Sequence, residues 1–189
     1  MAKQTLELSA AHCAFIQNQP VYFVGTAAEQ GRVNVSPKGL DTVRILSPTR
    51  LVWLNLTGSG NESAAHVAIN PRMTLMFCSF DSTPLILRAF GQARVLHPRD
   101  ADWAGLHALF PNHPGARQLF DLGIDLVQTS CGFGVPEITH TPSNLHDRPT
   151  LNRWAEKKGA AGIAAYWQEK NQRSIDNLPT HILSADDTN

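Results

Sequence analysis

Two short stretches of the sequence carry residue types that suit the binding of a phosphate group. In the first, Asn34, Ser36 and Lys38 alternate with apolar residues, and because side chains alternate along a β-strand, these three share one face. The second is the turn 57–61, a run of small polar residues between a strand and a helix. Lys38 supplies a positive charge, and a helix N-terminus favours an anion by about 0.3–1 kcal/mol. The alternative, which is the commoner outcome for such a strand, is a polar face turned to solvent.

The helix after this turn has a defined start and end in the sequence. Ser59 and Glu62 have the spacing of a capping box, in which each side chain binds a backbone N–H at the helix start. Pro71 ends the helix, because proline disfavours a helical conformation of the residue before it. A capping box is often purely structural, but the small neighbouring residues leave backbone N–H groups accessible to a ligand. No Walker-type lysine follows the turn, so the sequence does not support a nucleoside triphosphatase.

The longest strand pattern covers 85–96. Arg88, Gln92 and Arg94 fall on one face of it, and small residues fall on the other. Gly91, inside the pattern, predicts a bend or a close approach of two backbones, as at a barrel corner. An arginine on a strand is usually only solvated, so each of these side chains alone is weak support for a site.

Short strands predominate in the chain, and one helix is inserted among them. This pattern favours a mainly β (α+β) fold, a closed or split antiparallel β-barrel with short peripheral helices and a helical C-terminal tail. We expect a linker at 139–149 and a frayed end at 184–189, and Ser9 is a possible cap for the first helix. The predicted strands are 21–27, 33–37, 42–46, 51–56, 73–80, 85–96 and 125–131, and the predicted helices are 7–17, 63–69, 100–110, 151–159 and 160–172.

The composition excludes several classes of function. Of the 189 residues, 16 are basic and 16 acidic, so the chain has no general attraction to nucleic acid or to an anionic membrane. No apolar run approaches the roughly 20 residues of a membrane helix, and the N-terminus lacks the apolar stretch of a signal peptide. Cys13, Cys78 and Cys131 form no CxxC pair, which argues against a disulfide framework or a zinc site. We therefore expect a cytoplasmic protein without a metal.

Several strings follow one another in a specific order. Four of them are VSPKG (35–39), WLNLTGSGNESAAH (53–66), NPRMTLMF (70–77) and LRAFGQARV (87–95), and QTSCG (128–132) is a weaker fifth. Together they resemble the FMN-binding split-barrel superfamily related to pyridoxamine 5'-phosphate oxidase, over about residues 20–136. The resemblance implies a split barrel, which is usually a homodimer with FMN in the dimer interface.

The resemblance also implies roles for individual residues. Lys38 matches a basic residue that meets the FMN phosphate, and Ser36 shares its polar face. Arg88 matches a basic position on the long strand, and a Gln-Ser pair reaches the flavin from the partner subunit. Asn55, Thr57, Ser59 and Asn61 match the strand end and turn that line the flavin. The nine predicted cofactor-binding residues are Ser36, Lys38, Asn55, Thr57, Ser59, Asn61, Arg88, Gln128 and Ser130.

The sequence departs from the oxidase pattern at three places. Ser59-Gly60-Asn61 stands where the oxidase has a serine followed by Arg-Lys, and Val33 stands at about the place of an early arginine. Two phosphate-binding charges are therefore missing, and we expect Lys38 to matter more than usual. No C-terminal segment resembles the one that binds pyridoxal phosphate, which predicts a substrate other than pyridoxamine phosphate.

The resulting prediction is an FMN-dependent oxidoreductase that transfers a hydride between the flavin and an unidentified small substrate. The eight histidines are scattered, and no catalytic side chain can be named. The alternatives are a non-catalytic flavin carrier or sensor, and a split barrel that uses heme or a deazaflavin. We expect residues 1–138 to form the FMN-binding barrel, and 139–189 to form a linker and helices that pack on the barrel or on the dimer partner.

Overall fold

A computed structural model of the chain describes residues 2–138 and 146–183. It contains one sheet of eight strands, all antiparallel to their neighbours, and the mainly β prediction is confirmed. The strands are β1 Lys3–Thr5, β2 Tyr22–Thr26, β3 Asn34–Lys38, β4 Val43–Ser47, β5 Arg50–Leu56, β6 Arg72–Cys78, β7 Leu85–Leu96 and β8 Ala116–Cys131. The helices are α1 Ala10–Gln17, α2 Glu62–Ile69, α3 Trp103–His107 and α4 Thr150–Lys170.

The sheet is curved into a barrel that does not close. Its strand order is β3-β2-β6-β7-β8-β5-β4, and β1 adds to β8 outside this path. The edge strands β3 and β4 stand at opposite ends of the order and do not pair with each other. The gap between them, which we call the seam, makes this a split barrel, as predicted.

Aromatic side chains fill the inside of the barrel. The Trp53 ring stacks on that of Phe120, with ring centroids 4.5 Å apart, and Tyr22 stacks on Phe77 at 5.5 Å. All four are at most 2% exposed. Because each such side chain removes a large apolar area from water, these two stacked pairs anchor the strands whose other residues form the candidate site.

The polar face of β3 points towards this interior. Lys38 and Ser36 lie in register with the buried Tyr22 and Val24 of β2, and are themselves partly buried. The apolar residues of the same strand are the outward ones, with Val33 just before it 72% exposed and Val35 63% exposed. The alternative, in which the polar face of this strand is turned to solvent, is therefore wrong for this protein. The polar face of β3 points inward and its apolar face points outward.

Gly91 is a point of close backbone approach, as predicted. The pairing of β7 with β8 shifts register between Phe90 and Gly91. A Cβ atom added to Gly91 would collide with the carbonyl oxygen of Gly123 on β8. The strand can therefore bend here only because position 91 has no side chain.

The strand prediction for β8 covers less than half of the strand. It assigns only 125–131, whereas β8 begins at Ala116. Within the missed part, every residue from Arg117 to Leu122 is buried, but polar and charged residues interrupt the apolar run. Strand β1 is also absent from the prediction, since its three residues are all exposed and polar.

The helix starts agree only partly with prediction. Ser9 caps α1, where its Oγ accepts the N–H of His12 and the His12 ring accepts the N–H of Ser9. The capping box predicted for Ser59 and Glu62 is wrong. Helix α2 begins two residues later than that box requires, with Asn61 at the N-cap position and no side-chain capping bond. The carboxylate of Glu62 accepts the N–H of Ile175 instead, at 2.9 Å.

The C-terminal part of the described chain contacts the barrel. Helix α4 is broken at Gly159, whose backbone has φ 64°, in agreement with the two helices predicted on either side of this residue. Near its end, Trp167 Nε1 donates to Thr57 Oγ1 at 2.9 Å. The observed α3 is shorter than the predicted helix 100–110. Most of the predicted linker and all of the predicted frayed end lie outside the described residues.

Candidate functional site

Lys38 is the last residue of β3, and its side chain points into the interior of the barrel. Its Nζ lies 5.1 Å from the centroid of the Trp53 ring, a distance typical of a cation–π contact. Burial, together with the nearby charge of Arg117, lowers the pKa of Lys38 to about 8. In the described part of the chain, no carboxylate forms a salt bridge with this ammonium. Lys38 is therefore charged at neutral pH and has no counter-ion among the described residues.

Arg117 is a second cation of this region, and the sequence prediction does not include it. It is the extra residue of a β-bulge, because Asn55 pairs with Gln118 while Leu56 pairs with Ala116. A bulge redirects the side chain of its extra residue. No local signal in the sequence identifies it, because a bulge has no reliable signature in a single sequence.

The guanidinium of Arg117 lies under the turn 57–61. It donates to the carbonyl oxygens of Gly58 and Gly60, at 3.3 and 3.0 Å. Arg117 is 2% exposed, and this burial lowers its pKa to about 10. Its Nε has no hydrogen-bond partner, and no described carboxylate pairs with it. A buried guanidinium without an anion is costly, so this region favours a negatively charged ligand.

The predicted residues of the turn have distinct environments. Asn55 donates from its side chain to Gln118 Oε1 at 3.3 Å, and Thr57 donates to the carbonyl of Gly115 at 2.9 Å. Asn61 is 1% exposed, whereas Ser59 is exposed. Of these four predicted residues, Ser59 is the one that presents its side chain to solvent.

Unused hydrogen-bond donors accumulate around the two cations. Besides Arg117 Nε, the buried Nε1 of Trp53 and Nε2 of Gln118 have no partner. Trp53 carries the cation–π contact with Lys38, and Gln118 follows Arg117 in the chain. Buried donors normally find acceptors. The side-chain oxygens of Asn61 and Asn171 beside the same turn also lack a partner, so the indication of an anion rests on the two cations.

A cavity of about 1070 Å³ lies along the seam, and Lys38 is on its wall. The end of α1, the start of β2 and the residues from Gly39 to Ile45 form most of its lining. Tyr22, which also lines it, donates to or accepts from Thr42 Oγ1 at 2.8 Å. Lys38 therefore connects a cavity large enough for a small organic molecule with the charged region under the turn.

Three predicted residues form a separate group on the outer face of the sheet. Arg88 and Gln128 are directly opposite each other on β7 and β8, and the Arg88 guanidinium donates to Ser130 Oγ at 3.3 Å. Arg88 neighbours Met76 in register, whereas the inward Leu87 neighbours Phe77. Since Lys38 shares the face of Phe77 through Tyr22, the structure places Lys38 and this outer group on opposite faces of one sheet.

The first part of the same polar face of β3 is used for packing. Asn34 donates from its side chain to Ser63 Oγ at 3.2 Å, and Thr26 Oγ1 lies 3.1 Å from His66 Nδ1. These contacts attach α2 to the barrel. Ser36 is partly buried between Asn34 and Lys38 on the same face, so it stands where the packing contacts end and the charged region begins.

A cluster of four charged residues on β5, β7, β8 and the start of α3 has complementary charges. Asp121 accepts two hydrogen bonds from Arg50, at 2.8 and 2.9 Å, and one from Arg94 at 3.0 Å. Arg94 also binds Asp102 at 2.9 Å. Burial alone would raise the pKa of Asp121, but the bonds from Arg50 and Arg94 outweigh it and lower this pKa below its ordinary value. We call this group the paired cluster.

Within residues 2–138 and 146–183, no group of three His, Cys, Asp or Glu side chains could hold a metal ion. No helix of this part combines the length and the apolar composition that a bilayer crossing requires. The features that the described residues do bring together at the site are two cations and a cavity.

The fold and this arrangement define the class of protein, a split β-barrel with a candidate anion site at its open end. The family model for pyridoxamine 5'-phosphate oxidase matches residues 8–131. Over 175 aligned residues the chain is 40% identical to the pyridoxamine 5'-phosphate oxidase family protein ustO of Aspergillus flavus, covering 85% of this chain and 70% of that protein. The chain belongs to the pyridoxamine 5'-phosphate oxidase family.

Solved structures support the same fold. A candidate pyridoxamine 5'-phosphate oxidase of Lactobacillus delbrueckii superposes with a TM-score of 0.53 and 23% identity, over 65% of this chain and 94% of that one. A variant of HupZ from Group A Streptococcus superposes with a TM-score of 0.51 and 15% identity, over 65% of this chain and 98% of that one. At these identities the likeness establishes the fold alone.

Proposed function

We propose that this protein is a flavoprotein that binds FMN and acts as an oxidoreductase on a small substrate. The observation that carries the proposal is the pair of cations, Lys38 and Arg117, which influence each other electrostatically and have no carboxylate partner among the described residues. Family membership makes a flavin the first ligand to consider, and FMN differs from riboflavin by the phosphate that such a pair suits.

A phosphate monoester fits the chemistry of these residues. It carries a charge of about −1.5 to −2 at pH 7, which would compensate both cations. Hydrogen bonds to a charged group are roughly twice as strong as neutral ones, and the Lys38 ammonium, which lies over the Trp53 ring, can supply such donors. Lys38 and the backbone N–H groups of the turn 57–61 would thus hold the phosphate from two sides, and Arg117, which lies behind the turn, would add positive charge without touching it.

When bound, the flavin supplies the hydride chemistry. The chain's own contribution is then to bind, to orient and to exclude water. The stacked pair Trp53 and Phe120 keeps β5 and β8 in place under the turn, and the seam cavity offers room beside Lys38 for a substrate. Because the flavin carries out the hydride transfer, the chain needs no acid–base side chain for it.

We further propose a homodimer with the flavin in its interface. Lys38 and the group Arg88, Gln128 and Ser130 lie on opposite faces of one sheet, so one chain cannot bring them to the same ligand, whereas two chains can. The outward apolar residues Val33 and Val35 are available to be covered by a partner.

Mixing two inactive variants tests the shared site. In a mixed dimer of Lys38→Met and Gln128→Ala chains, one of the two sites has Lys38 from one chain and Gln128 from the other, both intact. We expect the mixture, after exchange of subunits, to regain flavin sites at a flavin concentration at which each variant alone is empty. Light scattering that finds a monomer at all concentrations, or a mixture that regains nothing, contradicts the shared site.

The spectrum of the protein as purified tests the cofactor and separates the alternatives. Flavin absorbance together with oxidation of a reduced pyridine nucleotide supports the oxidoreductase. Flavin without turnover supports a carrier or sensor, and a heme or deazaflavin spectrum replaces FMN by one of those groups. A colourless protein that does not take up FMN contradicts the proposal.

We place the protein in the cytoplasm. Cys13, Cys78 and Cys131 are free thiols in the structure, and such thiols persist in reducing compartments. Fractionation of cells that express the full chain tests this placement, and recovery from an oxidising compartment contradicts it.

A further inference from the structure

Three consecutive carbonyl groups of the turn are held from its buried side. Asn171 donates from Nδ2 to the carbonyls of Gly58 and Ser59, at 3.0 and 3.3 Å. Arg117 donates to the carbonyls of Gly58 and Gly60. Both donors are buried, with exposures of 0% for Asn171 and 2% for Arg117. The direction of three peptide units is thereby fixed by two side chains.

The orientation of these peptides fixes where their N–H groups point. In a trans peptide the C=O and the N–H of the same unit point in opposite directions, and none of the peptide bonds is cis. The N–H groups of Ser59, Gly60 and Asn61 therefore face away from Arg117 and Asn171. Within the described part of the chain, these three N–H groups bind no other residue. Successive N–H groups that face one side form a concavity suited to an anion.

Asn171 is itself firmly held. Its N–H donates to the carbonyl of Trp167 at the end of α4. Its own carbonyl accepts the side-chain hydroxyl of Thr180 and the side-chain amide of Asn61 at 3.5 Å. Contacts on either side, from Trp167 to Thr57 and from Ile175 to Glu62, align this part of the chain with the whole turn. A residue fixed from both sides in this way can impose its geometry on the turn.

We propose that Asn171 is a positioning residue for the cofactor phosphate: its side-chain amide holds the carbonyls of Gly58 and Ser59 inward, so that the N–H groups of Ser59, Gly60 and Asn61 face the ligand. Asn171 does not touch the ligand in this account and acts through the turn. The inference rests on the proposed function, because the anion is the phosphate of FMN. It also assigns to the C-terminal part of the chain, beyond the matched family region at 8–131, a role in binding the cofactor.

The substitution Asn171→Asp tests this role, because it keeps the shape of the side chain but turns a carboxylate oxygen towards two carbonyls. Asn171→Ala removes the donor without adding charge and serves if the aspartate variant does not fold. The matched control is Gln172→Glu, the neighbouring amide, which is exposed and binds only the carbonyl of Gln168 one turn back.

Two measurements on the full chain test whether Asn171 positions the turn. Without ligand, backbone order parameters of residues 59–61 should be about 0.85 in the wild type and below about 0.6 in the Asn171 variant. The preference for FMN over riboflavin should fall about tenfold, the loss expected when charge-assisted contacts become misaligned, while riboflavin affinity stays the same. The control should match the wild type in both.

The outcomes are distinguishable. If the wild type prefers FMN and a folded Asn171 variant keeps either the order parameters or this preference unchanged, the positioning role is overturned. The proposed function is then left intact. A wild type that binds FMN and riboflavin equally overturns the phosphate assignment of the proposed function, and this inference with it.

Discussion

Strand β8 carries two charged groups that differ in how their charge is compensated. Asp121 belongs to the paired cluster, where Arg50 and Arg94 donate three hydrogen bonds to its carboxylate. Arg117, four residues earlier, is more deeply buried than either of these arginines, yet within residues 2–138 and 146–183 it donates only to backbone carbonyls and has an unused donor. The same strand thus contains one satisfied charge and one unsatisfied charge.

The difference indicates which of the two groups is structural. A charge with partners stabilises the fold and needs no ligand, whereas a buried charge without a counter-ion lowers stability and is retained where it serves a function. Lys38 is partly buried and, like Arg117, carries a charge without a counter-ion among the described residues, and the two charges influence each other electrostatically. The comparison therefore predicts that substitutions in the paired cluster affect stability, and that substitutions at Lys38 and Arg117 affect ligand binding.

The largest effect is expected for Arg117→Met. It removes the positive charge behind the turn and the two bonds that orient its peptide groups, and we expect FMN affinity to fall about 100-fold or more. Fluorescence quenching of FMN measures this affinity. Arg117→Lys keeps the charge and should lie between the wild type and the methionine variant. An affinity within about threefold of wild type for Arg117→Met would place the phosphate elsewhere.

Asp121→Asn should have the opposite profile. We expect it to lower the free energy of unfolding by about 1–3 kcal/mol, because charged hydrogen bonds are lost, and to leave the preference for FMN over riboflavin unchanged. The pKa of Asp121 is lowered in the folded protein, so its stabilisation is present above the ordinary carboxyl pKa and is lost as the pH falls through the folded value. Urea unfolding at neutral and at acidic pH should show this loss in the wild type and not in the variant.

The pH dependence of FMN binding should follow Lys38. Its pKa in the ligand-free protein is about 8, and its charged form is the one that binds phosphate, so the affinity should fall as the pH rises. From about pH 7 to about pH 9 we expect a loss of about tenfold, over a range in which the phosphate itself stays ionised. Riboflavin titrations at the same pH values are the control. A flat profile for FMN excludes Lys38 from the contact.

The smallest effect concerns stability without ligand. Lys38→Met keeps the apolar stem and removes a partly buried charge that lacks a partner, so we expect the ligand-free protein to gain up to about 1 kcal/mol in its free energy of unfolding. Lys3→Met, at an exposed position on β1, should change nothing. A clear loss of stability in Lys38→Met would mean that the ammonium has a structural role.

Sequence reasoning succeeded where a single residue or a strict alternation determines the structure. Gly91 predicts the close approach to β8, and the alternation along β3 predicts its two faces. Sequence reasoning failed where contacts between distant parts of the chain determine the structure. Helix α2 begins at Glu62, later than the box at Ser59 requires, and Glu62 and Asn61 contact the C-terminal part of the chain there. The redirection of Arg117 depends on a register shift between β5 and β8. Neither is visible in local sequence, so one cation of the candidate site was missed.

The central claim is that Lys38 contacts the phosphate of FMN, and a double-mutant cycle tests it directly. Dissociation constants are measured by calorimetry for wild type and Lys38→Met, each with FMN and with riboflavin, at neutral pH. We predict that the substitution weakens FMN binding by about 1.5–3 kcal/mol and leaves riboflavin binding unchanged, so that the coupling energy between side chain and phosphate has that same value. Equal losses for both ligands, or no loss for either, contradict the claim.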